Sequence, residues 1–254
     1  MAENRPTWGF WMMYYRLRNA GHSVNHKRVY RLYKEANLNI RRKTRKRVPA
    51  RVKQPLVQPL YANLHWSMDF MRDSLFQGKP FRAFNVIDDF NREALNITIA
   101  KSITSERVIA ALEELIQWRG LPEKIRVDNG PEFIANALRQ WCDAPERKIE
   151  LVFIEKGKPS QNGYIERFNR TFREDVLDAY LFEELTQAQA YSNQWQWMCN
   201  NERPHSALAR LTPTAFLLKY GKLHHPQGQS EFPTFQQDIN IINNFKSLFL
   251  TGAI

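Results

Sequence analysis

From Leu64 to Phe70 apolar and polar residues alternate. Leu64, Trp66, Met68 and Phe70 fall on one side and Asp69 on the other, the two-residue period of a strand. A second apolar run, Phe81 to Ile87, follows a turn at Gly78, and Leu95, Ile97 and Ile99 alternate again. Three such runs at short spacing predict an antiparallel meander. The period then lengthens. Val108, Ile109, Leu112, Leu115 and Ile116 share one side of a helix that begins near Ser105, is ended by Gly120 and cannot resume at Pro122. Lys124 to Val127 is a short strand running into the tight turn Asp128-Asn129-Gly130-Pro131. Glu132 to Trp141 reads as helix and Ile149 to Ile154 as strand. A long helix follows from near Ser160, and another from Thr186 to Cys199. This order predicts a mixed α/β sheet, a meander leading into parallel crossovers.

Upstream, Trp8 to Arg18 is patterned as a helix with Trp8, Trp11, Met12, Tyr15 and Leu17 towards one side. Gly21 breaks it, and Asn25 is placed to cap a second helix. There Val29, Leu32, Tyr33 and Ala36 recur at helical spacing and leave Lys27, Arg28, Arg31 and Lys34 exposed. Two short helices about a glycine turn, the second basic, fit a helix-turn-helix module that contacts DNA; the plainer alternative is a helical hairpin. His22 and His26 stand four apart with no Cys or acid nearby, which speaks against a metal role.

Charge sharpens this division. The 254 residues hold 37 Lys+Arg and 26 Asp+Glu, and residues 1–60 alone hold 15 basic residues against Glu3 and Glu35. The remaining chain is near neutral, so a basic polyanion-binding arm is joined to a different module. Arg41, Arg42, Lys43, Arg45, Lys46, Arg47, Arg51 and Lys53 form a run without an acid, and Pro49, Pro55 and Pro59 favour an extended linker. Such a tract is either a solvated connection or one that tracks phosphates. The expected organisation is a helix-turn-helix-like module over 1–40, a basic Pro-containing linker over 41–60, a mixed α/β core with C-terminal helices over 61–221 and an atypical tail over 222–254. Cys142 and Cys199 form no CxxC pair, no apolar run approaches the ~18 residues of a membrane span, and the start lacks a secretory pattern. A cytoplasmic protein is expected.

The helix from Ser160 carries Ile165, Phe168, Phe172 and Val176 as one stripe and Asn162, Glu166, Asn169 and Arg173 as another. Glu166 is thereby directed away from the packed side. Asp69 points off the apolar face of its strand and Asp128 ends another, so three carboxylates can meet at adjacent strand ends. Three acids without His or Cys make a hard, all-oxygen set suited to Mg²⁺ or Mn²⁺. Two such ions ~3.5–4 Å apart activate a hydroxyl and stabilise the leaving oxygen of a phosphodiester. Arg173 and Lys158 are placed to meet a phosphate on the same side. Gln161, Asn162 and Asn169 are candidate DNA contacts around it, although amides on a helix face are commonly just solvated. With 26 acids in the chain some such triple must exist, so the flanking words decide.

Those words are Trp66-x-x-Asp69-Phe70, then Val127-Asp128-Asn129-Gly130-Pro131-Glu132-Phe133, then Gly157-Lys158-Pro159-x-Gln161-Asn162-x-x-x-Glu166-x-Phe168-Asn169. Asn201-x-Arg203-Pro204-His205-Ser206-x-Leu208 and Thr212-Pro213 follow. Together they closely resemble the DDE transposases of bacterial insertion sequences made from two overlapping reading frames, over about residues 8 to 220. The chain looks like the downstream, OrfB-type product. The resemblance implies a retroviral-integrase-like core with the ribonuclease H fold, a metal-binding catalytic triad at Asp69, Asp128 and Glu166, and a basic position at Arg173. It implies cleavage at the element's ends and transfer of the 3′-OH, with Mg²⁺ (Mn²⁺ as substitute) as cofactor, two ions being expected. The implied partners are double-stranded DNA, further copies of the chain in a multimer and an upstream-frame, OrfA-type protein, at the nucleoid. A nuclease of the same fold and an inactive DNA-binding remnant are the rival readings.

The chain departs from the family in several places. Between Asp128 and Glu166 stand 37 residues, two more than the family's usual spacing, and the extra pair falls in Cys142 to Lys148. A surface loop absorbs such an insertion cheaply. Lys156 replaces a common proline, and the segment Lys222 to Ile254 is not family-like. Asp88 and Asp89 are expected to be structural, whereas Glu132, which opens a helix, is favoured there by the helix dipole in any case. Arg203-Pro204-His205 is expected to brace the last helices, and one of Trp195 and Trp197 to face outwards.

Overall fold

The alternation around Asp69 becomes β1 (His65–Ser74), paired antiparallel with β2 (Pro80–Asp88), which pairs antiparallel with β3 (Ala94–Ala100). The computed structural model describes residues 7–40, 56–155 and 159–221. Gly78 closes the first hairpin at φ 78°, a conformation other residues resist. The chain then crosses through α3 (Ser105–Arg119) to β4 (Lys124–Val127), parallel to β1. Next, α4 (Pro131–Ile134) and α5 (Asn136–Asp143) lead to β5 (Glu150–Phe153), parallel to β4. The sheet order β3-β2-β1-β4-β5 is the anticipated meander with parallel crossovers.

Two predicted helices change form. Glu132–Trp141 splits at Ala135, whose ψ of 135° is extended. The helix expected from Ser160 begins as a 3₁₀ turn, Pro159–Asn162, continues as α6 (Gly163–Phe172) and ends in a π-helical turn, Arg173–Leu177. The connection holding the two extra residues folds back on itself. Ile149 N–H donates to Cys142 O at 3.0 Å and Lys148, at φ 50°, donates to Ala144 O. β5 therefore enters its register with β4 undisturbed.

Each sheet face has its own core. Trp66, Met68, Phe84 and Val86 pack with Val108, Leu112 and Leu115 of α3 and with Leu138 of α5. On the other face Met71, Ala83, Ile87 and Ile97 pack beneath Ile165, Phe168, Phe172 and Val176, the stripe anticipated for α6. Full burial of a phenylalanine such as Phe172 contributes roughly 1.5–3 kcal/mol. The helix α7 (Leu185–Asn201) covers the rest, with Trp195 buried and Trp197 exposed. After it comes α8 (Pro213–Tyr220), capped by the Thr212 hydroxyl, which accepts from Ala215 N–H.

The N-terminal pair is α1 (Phe10–Asn19) and α2 (His26–Glu35). Gly21 turns between them at φ 88°, and the Asn25 side chain accepts from Lys27 N–H. Its buried side keeps Trp8 and Tyr33 of the stripes the periodicity suggested but not the others as a set. Trp8, Met13 and Tyr33 join the α6–α7 core, while Trp11 and Leu32 are each 51% exposed. The pair packs against a third surface, and helical spacing alone does not say which side meets it. Thr7 Oγ1 donates to Asp175 Oδ1 (2.7 Å), Arg16 pairs with Glu202 (2.8 Å) and Asn19 donates to Arg210 O (3.0 Å).

Arg203 braces this region as expected, with Nη1 2.5 Å from Asp175 Oδ2, which also accepts from Trp195 Nε1. His205 is partly exposed, yet its Nε2 is buried without a partner among the described residues. Burial and then the charges of Arg203, Arg167 and Arg92 push it down to about 3. The unfolded chain binds a proton there below its ordinary value of 6.5 and the folded chain does not, so stability is lost as pH falls through that value. Urea unfolding at pH 7.5 and 5.5 is expected to show on the order of 1 kcal/mol more acid loss in the wild type than in His205→Gln. Equal losses would remove His205 as the cause.

Candidate active site

Asp69 lies on the face of β1 that α6 covers, level with Asn85 of β2. β1 and β4 run parallel with Ser67 beside Arg126; continuing that register two residues sets Asp69 beside Asp128. Asp128 leaves β4 into the turn, where its Oδ1 accepts from Gly130 N–H at 2.9 Å. A Cβ at position 130 would lie 2.9 Å from that same oxygen, so glycine lets the carboxylate fold back onto the turn. Asn129 Nδ2 donates to Ile154 O and ties the turn to the end of β5. Glu166 is exposed on α6 next to Ile165, which is fully buried against the sheet.

The three acids share one field. Burial first, then Asp128 and Glu166, push the Asp69 carboxyl up to about 6, against hydrogen bonds from Phe70 N–H and Asn169. These bonds are 2.8 Å to Oδ1 and 2.8 Å to Oδ2. Among the described residues no group of three or more His, Cys, Asp or Glu side chains is gathered as a metal would gather it. Asp69 and Asp128 each accept from a backbone N–H, of Phe70 and of Gly130 respectively. The donor set itself fits a hard divalent cation, since carboxylate oxygens that repel one another are stabilised by a shared positive charge.

The other predicted residues are distributed differently. Asn162 is 3% exposed and Asn169 8% exposed, so the polar stripe of α6 does not face solvent as a whole and neither amide is available for direct DNA contact in this arrangement. The side of α6 that carries them packs on β1 and β2, where Asn169 accepts from Asn85 and donates to Asp69. Gln161 is engaged with Glu155, accepting its N–H at 2.8 Å and donating to its Oε1 at 2.9 Å. Arg173 reaches the far end of β1, donating to Arg72 O (2.8 Å) and flanked by Asp73 (3.4 Å) and Asp178 (3.7 Å). Its charge is shared with acids, not held free for a phosphate. Lys158 and Arg41, Arg42, Lys43, Arg45, Lys46 and Arg47 lie outside the described residues. Lys27, Arg28 and Arg31 are exposed on α2 and, with Asn25, line a hollow of about 470 Å³.

Asp88 and Asp89 are buried structural groups, paired with Arg119 and Arg126 respectively. Glu132 is ion-paired to Arg82, which holds its carboxyl below the usual range. The same guanidinium lies 4.2 Å from the Phe70 ring centroid, and Phe70 stacks on Phe133 at 4.8 Å. Arg82 thus packs beside Glu132 and Phe70, and Asn85 reaches Asp69 through Asn169. Inside the apolar run Phe81–Ile87 they were a legible signal, two polar residues in a strand buried on both faces.

Integrase core domain families match residues 60–159 and 147–213, and an HTH-like domain family matches residues 1–47. A 31.7 kDa protein of insertion element IS407 from Burkholderia multivorans is 38% identical over 220 residues, 87% of this chain and 79% of that protein. The chain belongs to the integrase-core transposases of insertion elements. A 39.2 kDa protein of insertion element IS476 from Xanthomonas euvesicatoria is 36% identical over 220 residues, 87% of the transposase chain and 63% of its own length. The HTLV-2 integrase catalytic core domain, solved in complex with magnesium, shares the fold. Its TM-score is 0.50 at 22% identity, over 62% of this chain and 97% of that domain. The core is therefore ribonuclease H-like, and the activity is that of a DDE-type polynucleotidyl transferase acting in transposition. Among the described residues no helix is long and apolar enough to cross a membrane.

Proposed function

We propose that Asp69, Asp128 and Glu166 are the catalytic residues and hold Mg²⁺, with Mn²⁺ as substitute, as a two-ion site. When bound, such ions activate the attacking hydroxyl and stabilise the leaving oxygen of an in-line displacement. The chain's part is to supply the negative field that retains them and to fix it in place. Asp69 does this from a central strand, Asp128 from a turn pinned to β5, and Glu166 from a helix anchored by Ile165, Phe168 and Phe172. One site serves two successive steps, nicking at the element's end to expose a 3′-OH and attack by that 3′-OH on a second phosphodiester. What supports this reading is the register that sets Asp69 of β1 beside Asp128 at the end of β4, on the sheet face covered by the helix that carries Glu166.

Lys27, Arg28 and Arg31 on α2 and the tract from Arg41 to Arg47 are assigned to the DNA backbone, where cations bind by releasing counterions. In the same reading the transposase works at the nucleoid as a multimer that brings two ends together, with an upstream-frame, OrfA-type protein as partner. The test is strand transfer on labelled element-end DNA. Joined products are expected with Mg²⁺ or Mn²⁺ and none with EDTA. Nicking that never proceeds to joining would replace this reading by a hydrolytic nuclease. Salt-sensitive binding without chemistry, relieved by the upstream-frame protein, would show that partner to be required.

A further inference from the structure

Asn85 is a polar side chain in an apolar place. It stands on β2 between Ala83 and Ile87 on one face, level with Ile97 of β3 and Asp69 of β1, and is 0% exposed. Burying an amide costs stability unless its polar atoms are partnered. Here the donor has a partner, and among the described residues Oδ1 has none. A leucine would fill the position without that cost. The partner is Asn169: Asn85 Nδ2 donates to Asn169 Oδ1 at 2.7 Å, and Asn169 Nδ2 donates to Asp69 Oδ2 at 2.8 Å.

The direction of this chain follows from the carboxylate. An ionised Asp69 only accepts, so Asn169 must turn its nitrogen to Asp69 and its oxygen to Asn85. Asn85 must then present a donor, which leaves its own oxygen facing apolar surroundings. We propose that Asn85, acting through Asn169, is a positioning residue that fixes the rotation of the Asp69 carboxylate before the metal arrives. Groups that orient a ligand without touching the ion set metal affinity in this way. The inference rests on the metal reading of the triad proposed above.

Mn²⁺ binding to the DNA-free protein, followed by electron paramagnetic resonance, tests it together with the Mg²⁺ dependence of strand transfer. Asn85→Leu is expected to weaken Mn²⁺ binding by about 10–100-fold. It should raise the half-maximal Mg²⁺ concentration by a similar factor, with activity recovering at saturating Mn²⁺. A mere staple between β2 and α6 would lower the melting temperature and leave metal affinity within threefold of wild type, which overturns the proposal. Should Asn85→Leu not fold, Asn85→Ala removes the donor without adding bulk or charge and is expected to lose metal affinity likewise. Wild-type protein that binds no Mn²⁺ sinks the reading of the triad itself. Binding that is lost in Glu166→Gln but retained in Asn85→Leu sinks the relay alone.

Discussion

Asp128→Asn and Glu166→Gln are each expected to lower strand transfer at least ~10³-fold, equivalent to about 4 kcal/mol of transition-state stabilisation. Both substitutions preserve the local fold. Asn keeps an oxygen for Gly130 N–H, and position 166 is exposed on a helix held by its neighbours on the opposite side. What changes is charge, since each removes one of the two carboxylates that act on Asp69. DNA binding is expected to remain close to wild type, because the exposed cations of α2 are untouched. The decisive measurement is joined product per unit time at saturating Mg²⁺, beside DNA affinity at one fixed salt concentration. Loss of less than tenfold in both variants would take the triad out of the chemistry.

Arg119→Met is expected to destabilise the fold by about 3–5 kcal/mol, as removing one member of a buried ionic cluster does. Arg119 ends α3 and is 5% exposed. Its Nη2 lies 2.8 Å from Glu93 and 3.2 Å from Asp88, both acids being buried. Asp88 also accepts from Asn63 N–H and Phe90 N–H, so the cluster joins the end of α3, the start of β1 and the turn between β2 and β3. Methionine restores the volume but leaves two carboxylates without their cation. Adding Glu93→Gln removes one of those charges and is expected to recover part of the loss, which makes the two changes non-additive. Urea unfolding of the single and double variants measures this; a single-variant loss under about 1 kcal/mol would place the stability elsewhere.

The sequence by itself determined the elements and their order. Alternation marks β1 and β3, three- and four-residue spacing marks α3 and α6, and Gly21, Asn25, Gly78 and Gly120 set turns and caps that depend on local backbone chemistry alone. It also offered Asp69, Asp128 and Glu166 as candidates, through the words Trp66-x-x-Asp69-Phe70, Asp128-Asn129-Gly130-Pro131 and Glu166-x-Phe168-Asn169 in which they stand. These signals are local: the period of a side chain and the conformation of a turn are set within a few residues. Tertiary packing decided the rest. It chose Trp8, Met13 and Tyr33 over Trp11 and Leu32 as the docked side of the N-terminal pair, and it drew Arg173 to Asp73 and Asp178. It turned Asn162 and Asn169 inwards and matched Arg82 to Glu132 and Asn85 to Asn169. A helix has several sides and a long polar side chain several partners. Which of them is used depends on surfaces contributed by residues distant in sequence, as when Asn169 of α6 meets Asp69 of β1, a hundred positions away.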